Sequence, residues 1–192
     1  AGIAVRVPEP LVSNQKLLWG YFDDENGFYF KLGSATFEVC VLRAGVETVF
    51  SRSEFNTDRA DGSGSSGKVL DFEKGNIFVI HFSWYGYGMV EFSYIGFGDD
   101  MVQKTITLHK FQTVGQTSVE TPNLPLKVCL QNNGTVNSST VYLAGRQFSI
   151  IGTYVPVFRQ NFHYRYLCSV NNIFTPILSL QKKNDFLACR AR

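Results

Sequence analysis

The sequence predicts an all-β protein, an antiparallel β-sandwich of a jelly-roll-like kind. Its 192 residues include 17 phenylalanines, 9 tyrosines and 17 glycines, whereas charged residues make up only 18%. This composition favours strands joined by tight turns over helices. No segment combines a helical period of apolar residues with capping signals. Instead, about ten to twelve short strands follow one another at the spacing that is typical of sandwiches.

The segment from Asn76 to Leu130 contains three of these strands and is the most informative part of the chain. Residues 77–84 are rich in β-branched and aromatic side chains, which indicates a buried strand. Residues 89–96 and 102–111 alternate between apolar and polar side chains, as half-buried strands do. Thr121–Leu126 contains two prolines and is unsuited to a helix or a central strand, so we expect it to cross from one sheet to the other.

A hairpin is the strongest local signal. Leu17–Phe22 and Phe28–Leu32 are apolar runs that flank a turn built on Asn26-Gly27. The remaining strands are predicted over residues 36–43, 46–50, 141–143, 147–157, 162–170, 177–180 and 186–189.

The domain organisation is predicted as an extended N-terminal arm over residues 1–15 and a single β-sandwich domain over residues 16–192. The first fifteen residues contain Pro8 and Pro10 and lack a clear period. They are interpreted either as an arm that lies along a neighbouring subunit or as an untethered terminus.

Charge and hydropathy argue against several classes of partner. The net charge of +2 is spread along the chain and gives no basic run for nucleic acid. No apolar stretch approaches the length of about 18 residues that a membrane span needs. Small polar residues dominate 58–67, which predicts an exposed loop, and its acidic spacing does not fit a calcium loop.

Four cysteines, Cys40, Cys129, Cys168 and Cys189, lie far apart and lack the paired spacing of a zinc site. Their even number leaves disulfides open. Cys40 and Cys129 lie within alternating apolar runs, which favours buried thiols. We therefore expect no metal and no cofactor.

Catalytic motifs are not found. His81, His109 and His163 each lie in an apparent strand and far apart, where a histidine is more often packed than catalytic. The nucleophile, phosphate-binding and dinucleotide motifs are all missing from the sequence. We expect a protein that is not an enzyme.

Trp84, Tyr85 and Tyr87 cluster around two glycines at the end of a predicted strand. Flat aromatic side chains of this kind form platforms on which sugars stack. The alternative, which we favour from the sequence, is that they pack in the core or between subunits. They are nevertheless the candidate ligand-binding residues of the chain.

Five elements resemble a known family. They occur in the order WGYFDDENGFYF (19–30), NTDRADGSG (56–64), Asp71-Phe72, WYGYG (84–88) and TPNLPL (121–126). The set resembles a family of virion structural proteins from large DNA viruses and bacteriophages, and the likeness extends over roughly residues 18–185. This chain has Phe72 where the family often has tryptophan, and Tyr85 and Tyr87 where it has aliphatic residues.

The resemblance implies a capsid-associated, vertex or fibre protein located in the virion, with no catalytic residues. We expect it to associate with itself, with a homotrimer as the first expectation, and with other virion proteins. The alternative is a β-sandwich module that binds carbohydrate or a host receptor, with host glycans as its partner. In both cases neither nucleic acid nor membrane insertion is expected.

Overall fold

A computed structural model describes residues 1–97, 102–149, 179–183 and 186–190. The chain divides into two compact units, residues 1–150 and 151–192. A single domain was predicted over residues 16–192, and most of the chain after residue 150 lies outside the described residues. The strands predicted over 147–157 and 162–170 lie largely or wholly outside the described residues, as do His163, Cys168 and the side chain of Cys189.

Ten strands are described in the first unit and two in the second. In chain order they are β1 (Gly2–Arg6), β2 (Lys16–Phe22), β3 (Gly27–Leu32), β4 (Phe37–Arg43), β5 (Val46–Ser51), β6 (Asn76–His81), β7 (Val90–Phe97), β8 (Gln103–Phe111), β9 (Leu126–Gln131), β10 (Tyr142–Gln147), β11 (Ser179–Lys183) and β12 (Phe186–Arg190). A single 3-10 turn, Arg52–Glu54, follows β5. Strands β11 and β12 pair with each other as an antiparallel hairpin.

The first unit is a sandwich of two antiparallel five-stranded sheets, which confirms the predicted fold class. The strand orders are β10-β1-β6-β7-β8 and β5-β4-β3-β2-β9. The first and last strands of the unit pair as in a jelly roll. Strand β1 lies beside β10 in one sheet, and β2 lies beside β9 in the other. Between these pairs the chain runs in two meanders, β2 to β5 and β6 to β8, whereas a jelly roll sends most successive strands to opposite sheets.

The predicted N-terminal arm is instead part of the first sheet. Residues 2–6 form β1, which has β6 on one side and β10 on the other. Ile3 and Val5 point inward and are almost fully buried. The backbone of Val7 continues the attachment with an N–H that donates to the carbonyl of Phe72 at 2.9 Å. Prolines 8 and 10 follow the strand rather than interrupting it, so they end β1 without preventing it.

Aromatic rings fill the space between the sheets. Trp19 is completely buried, with Phe30 stacked at 5.5 Å between ring centroids and Phe78 edge-on at 4.9 Å. Phe37 and Phe72 complete the ring of neighbours around the indole. Each such pair stabilises the fold by about 0.5–1.5 kcal/mol beyond simple burial.

Gly20 allows β2 and β3 to approach closely. A Cβ at this position would lie 2.4 Å from the carbonyl oxygen of Phe28 and 2.6 Å from the Cα of Tyr29. Both are backbone atoms, so the strands would have to separate.

We therefore expect Gly20→Ala to lower the free energy of unfolding by about 1–3 kcal/mol, the cost of overpacking. Gly75→Ala is the matched control, because a Cβ there meets nothing within 4 Å, and its effect should stay within about 0.5 kcal/mol. Chemical denaturation of both variants measures the difference. Equal stabilities would contradict the close approach of the two strands.

Candidate functional site

The candidate aromatic residues lie on the loop between β6 and β7, residues 82–89, called here the aromatic loop. Its first residue, Phe82, turns inward against Tyr21 and Phe28, at 5.0 and 5.1 Å between centroids. The chain then turns outward. The exposed fractions of Trp84, Tyr85 and Tyr87 are 52%, 80% and 64%.

The exposure of these three side chains excludes one of the three earlier interpretations, that they pack in the core. Trp84, Tyr85 and Tyr87 do not fill the core of the first unit, so that part of the favoured interpretation is wrong. A subunit contact and a sugar platform are the two interpretations that remain. The Trp84 and Tyr85 rings meet edge to face at 5.9 Å, and they form a small aromatic surface.

Gly86 fastens the aromatic loop to the segment between β8 and β9, residues 112–125, called here the crossing segment. Its φ is +82°, a left-handed conformation that favours glycine. Its carbonyl accepts hydrogen bonds from the Ser118 N–H at 2.9 Å and from the Ser118 hydroxyl at 3.2 Å. A Cβ on Gly86 would lie 2.8 Å from the Cβ of Thr117. The aromatic side chains are therefore presented on a backbone that is held in place.

The crossing segment is in turn attached to β2. The Tyr21 hydroxyl donates to the carbonyl of Pro122 at 2.6 Å and accepts from the Leu124 N–H at 3.2 Å. The Phe22 N–H donates to the carbonyl of Pro125 at 3.1 Å. The segment joins β8 in the first sheet to β9 in the second, which confirms the predicted crossing between sheets.

Asn26 holds three turns together at the same end of the sandwich. Its side chain is buried, and Oδ1 accepts from the N–H of Glu120 at 3.0 Å and from the N–H of Ala44 at 3.4 Å. Its own N–H donates to Oδ1 of Asp23 at 2.7 Å. Arg43 adds a further link, because its Nε donates to the carbonyl of Thr117 at 2.9 Å.

The side chain of Asn56 is hydrogen-bonded to β8, the edge strand of the first sheet. Its carboxamide exchanges two hydrogen bonds with the backbone of Lys110, donating to the carbonyl at 2.8 Å and accepting from the N–H at 2.9 Å. The N–H of Thr57 donates to the carbonyl of Leu108 at 3.2 Å. Residues 56 and 57 thus take the place of a further strand along part of β8.

Asp58 anchors the glycine- and serine-rich loop that follows. Its carboxylate is buried and accepts from the N–H groups of Ala60 and Ser66, both at 2.7 Å. Gly64 packs directly on it, since a Cβ there would lie 2.3 Å from Oδ1. Because each oxygen faces an N–H donor, the carboxylate serves as a loop anchor. No cluster of three potential metal ligands is found among the described residues.

Residues of the elements that carry the family resemblance therefore make hydrogen bonds that hold strands and loops of the sandwich together. Tyr21 and Asn26 from the first element bind the crossing segment, which contains the first five residues of TPNLPL. Asn56 and Asp58 from the second brace an edge and a loop. Sequence reasoning picked out these elements but did not predict that they touch, because the partners are distant along the chain.

The cysteines and histidines are spread over the unit. Cys40 is a buried free thiol, as predicted, whereas the free thiol of Cys129 is only partly buried. His81 is exposed at the end of β6, whereas His109 is buried in β8. The His109 ring lies 4.3 Å from that of Phe50, and its Nδ1 has no hydrogen-bond partner among the described residues.

A groove lies at the end of the sandwich opposite the aromatic loop. Two adjacent depressions of about 380 Å³ and 500 Å³, called here the two lobes of the groove, are both lined by Leu32, Gly33, Ser34 and Phe72. Phe72 is half-buried and fixed by an edge-on contact with Phe37 at 5.0 Å. Sequence reasoning missed this groove because four separate segments form its walls.

Comparison with family models, with curated proteins and with solved structures finds no match to this chain. No helix in the described part of the chain reaches the length and hydropathy of a membrane-spanning segment.

We expect Asn26→Ala to lower the free energy of unfolding by about 1–3 kcal/mol, because the N–H groups of Glu120 and Ala44 lose their acceptor. Asn26→Asp keeps an acceptor oxygen and should cost less. Limited proteolysis should cut the crossing segment faster in the alanine variant than in the wild type. An unchanged cleavage pattern would show that Asn26 does not hold this segment.

We expect the protein to lose stability as the pH falls below about 6.5. Burial lowers the pKa of His109 from its ordinary value of 6.5, and this outweighs the opposing influence of Glu54. The unfolded chain therefore takes up the proton more readily than the folded one, so protonation favours unfolding.

Denaturation midpoints at pH 7.5 and 5.5 measure this dependence, in a range above the ordinary pKa values of carboxyl groups. His109→Phe keeps an aromatic ring against Phe50 and should reduce the pH dependence. An identical pH dependence in wild type and variant would rule out His109 as its source.

Proposed function

We propose that this chain is a structural component of a virus particle, as a capsid-associated, vertex or fibre protein that assembles through contacts between its own copies and with other virion proteins. The observation that carries the proposal is that residues from the elements of the family resemblance have a structural role. Tyr21, Asn26 and Asn56 bind backbone groups of distant segments and so maintain a shape. Residues used in this way suit a building block better than an enzyme.

The aromatic loop is the contact surface that we propose for self-association. Three large aromatic side chains project from a backbone that Ser118 and Gly86 hold in place. Aromatic residues are enriched in the buried centres of protein interfaces, where they contribute much of the binding energy. A homotrimer is the assembly we propose, located in the virion.

Light scattering at several protein concentrations tests the assembly. The chain has a mass of 21.6 kDa, so a homotrimer should scatter as a particle of about three times that mass. We expect this mass at the upper end of the concentration range. A monomer at every concentration would contradict the proposal of a self-assembling building block.

A second candidate function is host attachment through glycans, with Trp84, Tyr85 and Tyr87 as the platform. The observation that favours it is the exposure of all three rings on one supported loop. Sugars stack on such rings through their apolar faces, and neighbouring polar groups then select among them.

A glycan array separates the two candidates. If the loop binds sugar, Trp84→Ala should abolish binding while leaving the mass in solution unchanged. Val114→Ala is the control, because this valine is 95% exposed on the crossing segment and not aromatic. Absence of binding by the wild type across the array would remove the glycan candidate.

A further inference from the structure

We propose that the aromatic loop of one copy inserts into the groove of a second copy, so that copies join head to tail. Trp84, Tyr85 and Tyr87 form the inserted surface. The proposal rests on the proposed self-association and names the two surfaces that meet. It does not depend on the trimer.

The two surfaces lie at opposite ends of the same sandwich. The aromatic loop lies with the β2–β3 and β4–β5 turns, to which the crossing segment is bonded. The groove lies with the β3–β4 turn, at the other ends of these strands. The seven residues of β2 separate the two ends by roughly 20 Å.

Two different surfaces at opposite ends make a heterologous contact. Such a contact leaves one free surface of each kind after every addition, so it repeats along an open chain unless the rotation between copies closes a ring. Tip-to-tip packing of two aromatic loops would instead stop at a pair.

The groove is suited in size and lining to aromatic side chains. Lobes of about 380 and 500 Å³ lie within the range of roughly 300–1,000 Å³ that accommodates compact ligands. Leu32, Phe72 and Pro10 supply apolar walls. Because Phe72 is packed against Phe37 and Trp19, one wall is already in place before a partner arrives.

Polar groups at the rim complement those of the loop. An indole N–H can only donate, and a tyrosine hydroxyl donates readily. The larger lobe is lined by acceptors in the Glu73 carboxylate and the Ser34 hydroxyl, and by Asp71, whose carboxylate also pairs with Lys74 at 3.2 Å. Donors on the inserted surface therefore meet acceptors on the receiving one.

The area predicts a weak contact. At roughly 200 Å² for a whole aromatic side chain, the exposed parts of the three rings amount to about 400 Å². With an equal area on the groove side, the total of about 800 Å² lies at the low end for specific protein interfaces. The contact is therefore expected at high protein concentration, or where many copies are held together.

Two variants that each disable one end test the proposal. Trp84→Ala/Tyr85→Ala removes the inserted surface and leaves the groove, whereas Ser34→Arg fills the groove and leaves the loop. Ser34 is exposed in a turn, so the arginine leaves the core untouched. Thr48→Arg on the exposed side of β5 is the matched control for added charge.

Binding between immobilised and soluble protein is then measured for each pairing. We expect each variant to bind itself at least about tenfold more weakly than the wild type binds itself, as loss of an interface centre does. The mixed pair should bind, because it combines one intact loop with one intact groove. Thr48→Arg should bind like the wild type.

Three results would overturn the proposal. The first is self-binding of Ser34→Arg at wild-type strength, which would indicate that the loops pack on each other. The second is failure of the mixed pair to bind. The third is a loop variant that still binds itself normally.

Combining all three substitutions separates this proposal from the proposed function. A triple variant that scatters as a homotrimer would leave the proposed self-association intact, whatever the pairwise result. If the wild type scatters as a monomer at every concentration used for light scattering but the mixed single-end pair binds on the surface, the head-to-tail contact is supported and the trimer is contradicted.

Discussion

The attachment of the crossing segment to the β2–β3 hairpin is the constraint on which the first unit depends. The Tyr21 hydroxyl and the Asn26 carboxamide bind backbone groups of residues 120–124, between β8 of the first sheet and β9 of the second. Together with the bond from the Phe22 N–H to the carbonyl of Pro125, they guide the chain into β9 beside β2. The same segment supports Gly86, so sheet closure and presentation of the aromatic loop depend on one set of contacts.

Most strands of the first unit could be predicted because their signals are local. A four-residue turn over residues 23–26 joins β2 to β3, and Gly27 after it already pairs with Phe22. Alternation of side chains marks β4, β7 and β8. The prediction of an arm over residues 1–15 was wrong because strand β1 depends on contacts that are distant along the chain. Strand β1 is short, and its burial depends on β6 and β10, which lie far along the chain. No pattern within residues 1–15 reports partners at that distance.

The candidate site was predictable in its residues but not in its geometry. A cluster of Trp84, Tyr85 and Tyr87 around glycines is visible in the sequence, yet the same pattern fits a buried strand end. Their exposure follows from Phe82, which fills the inward position and directs the next residues away from the core. The groove has no sequence signature at all, since its walls come from residues that share only their position in space.

The carboxamide of Asn56 has a consequence for how these molecules behave when crowded together. A sheet edge with free N–H and C=O groups is a template on which another extended chain can add, and repeated addition leads to fibrillar aggregates. By occupying both backbone groups of Lys110, Asn56 makes this stretch of β8 unable to serve as such a template. Where the local concentration of the protein is high, this one side chain hinders uncontrolled growth of the sheet along β8.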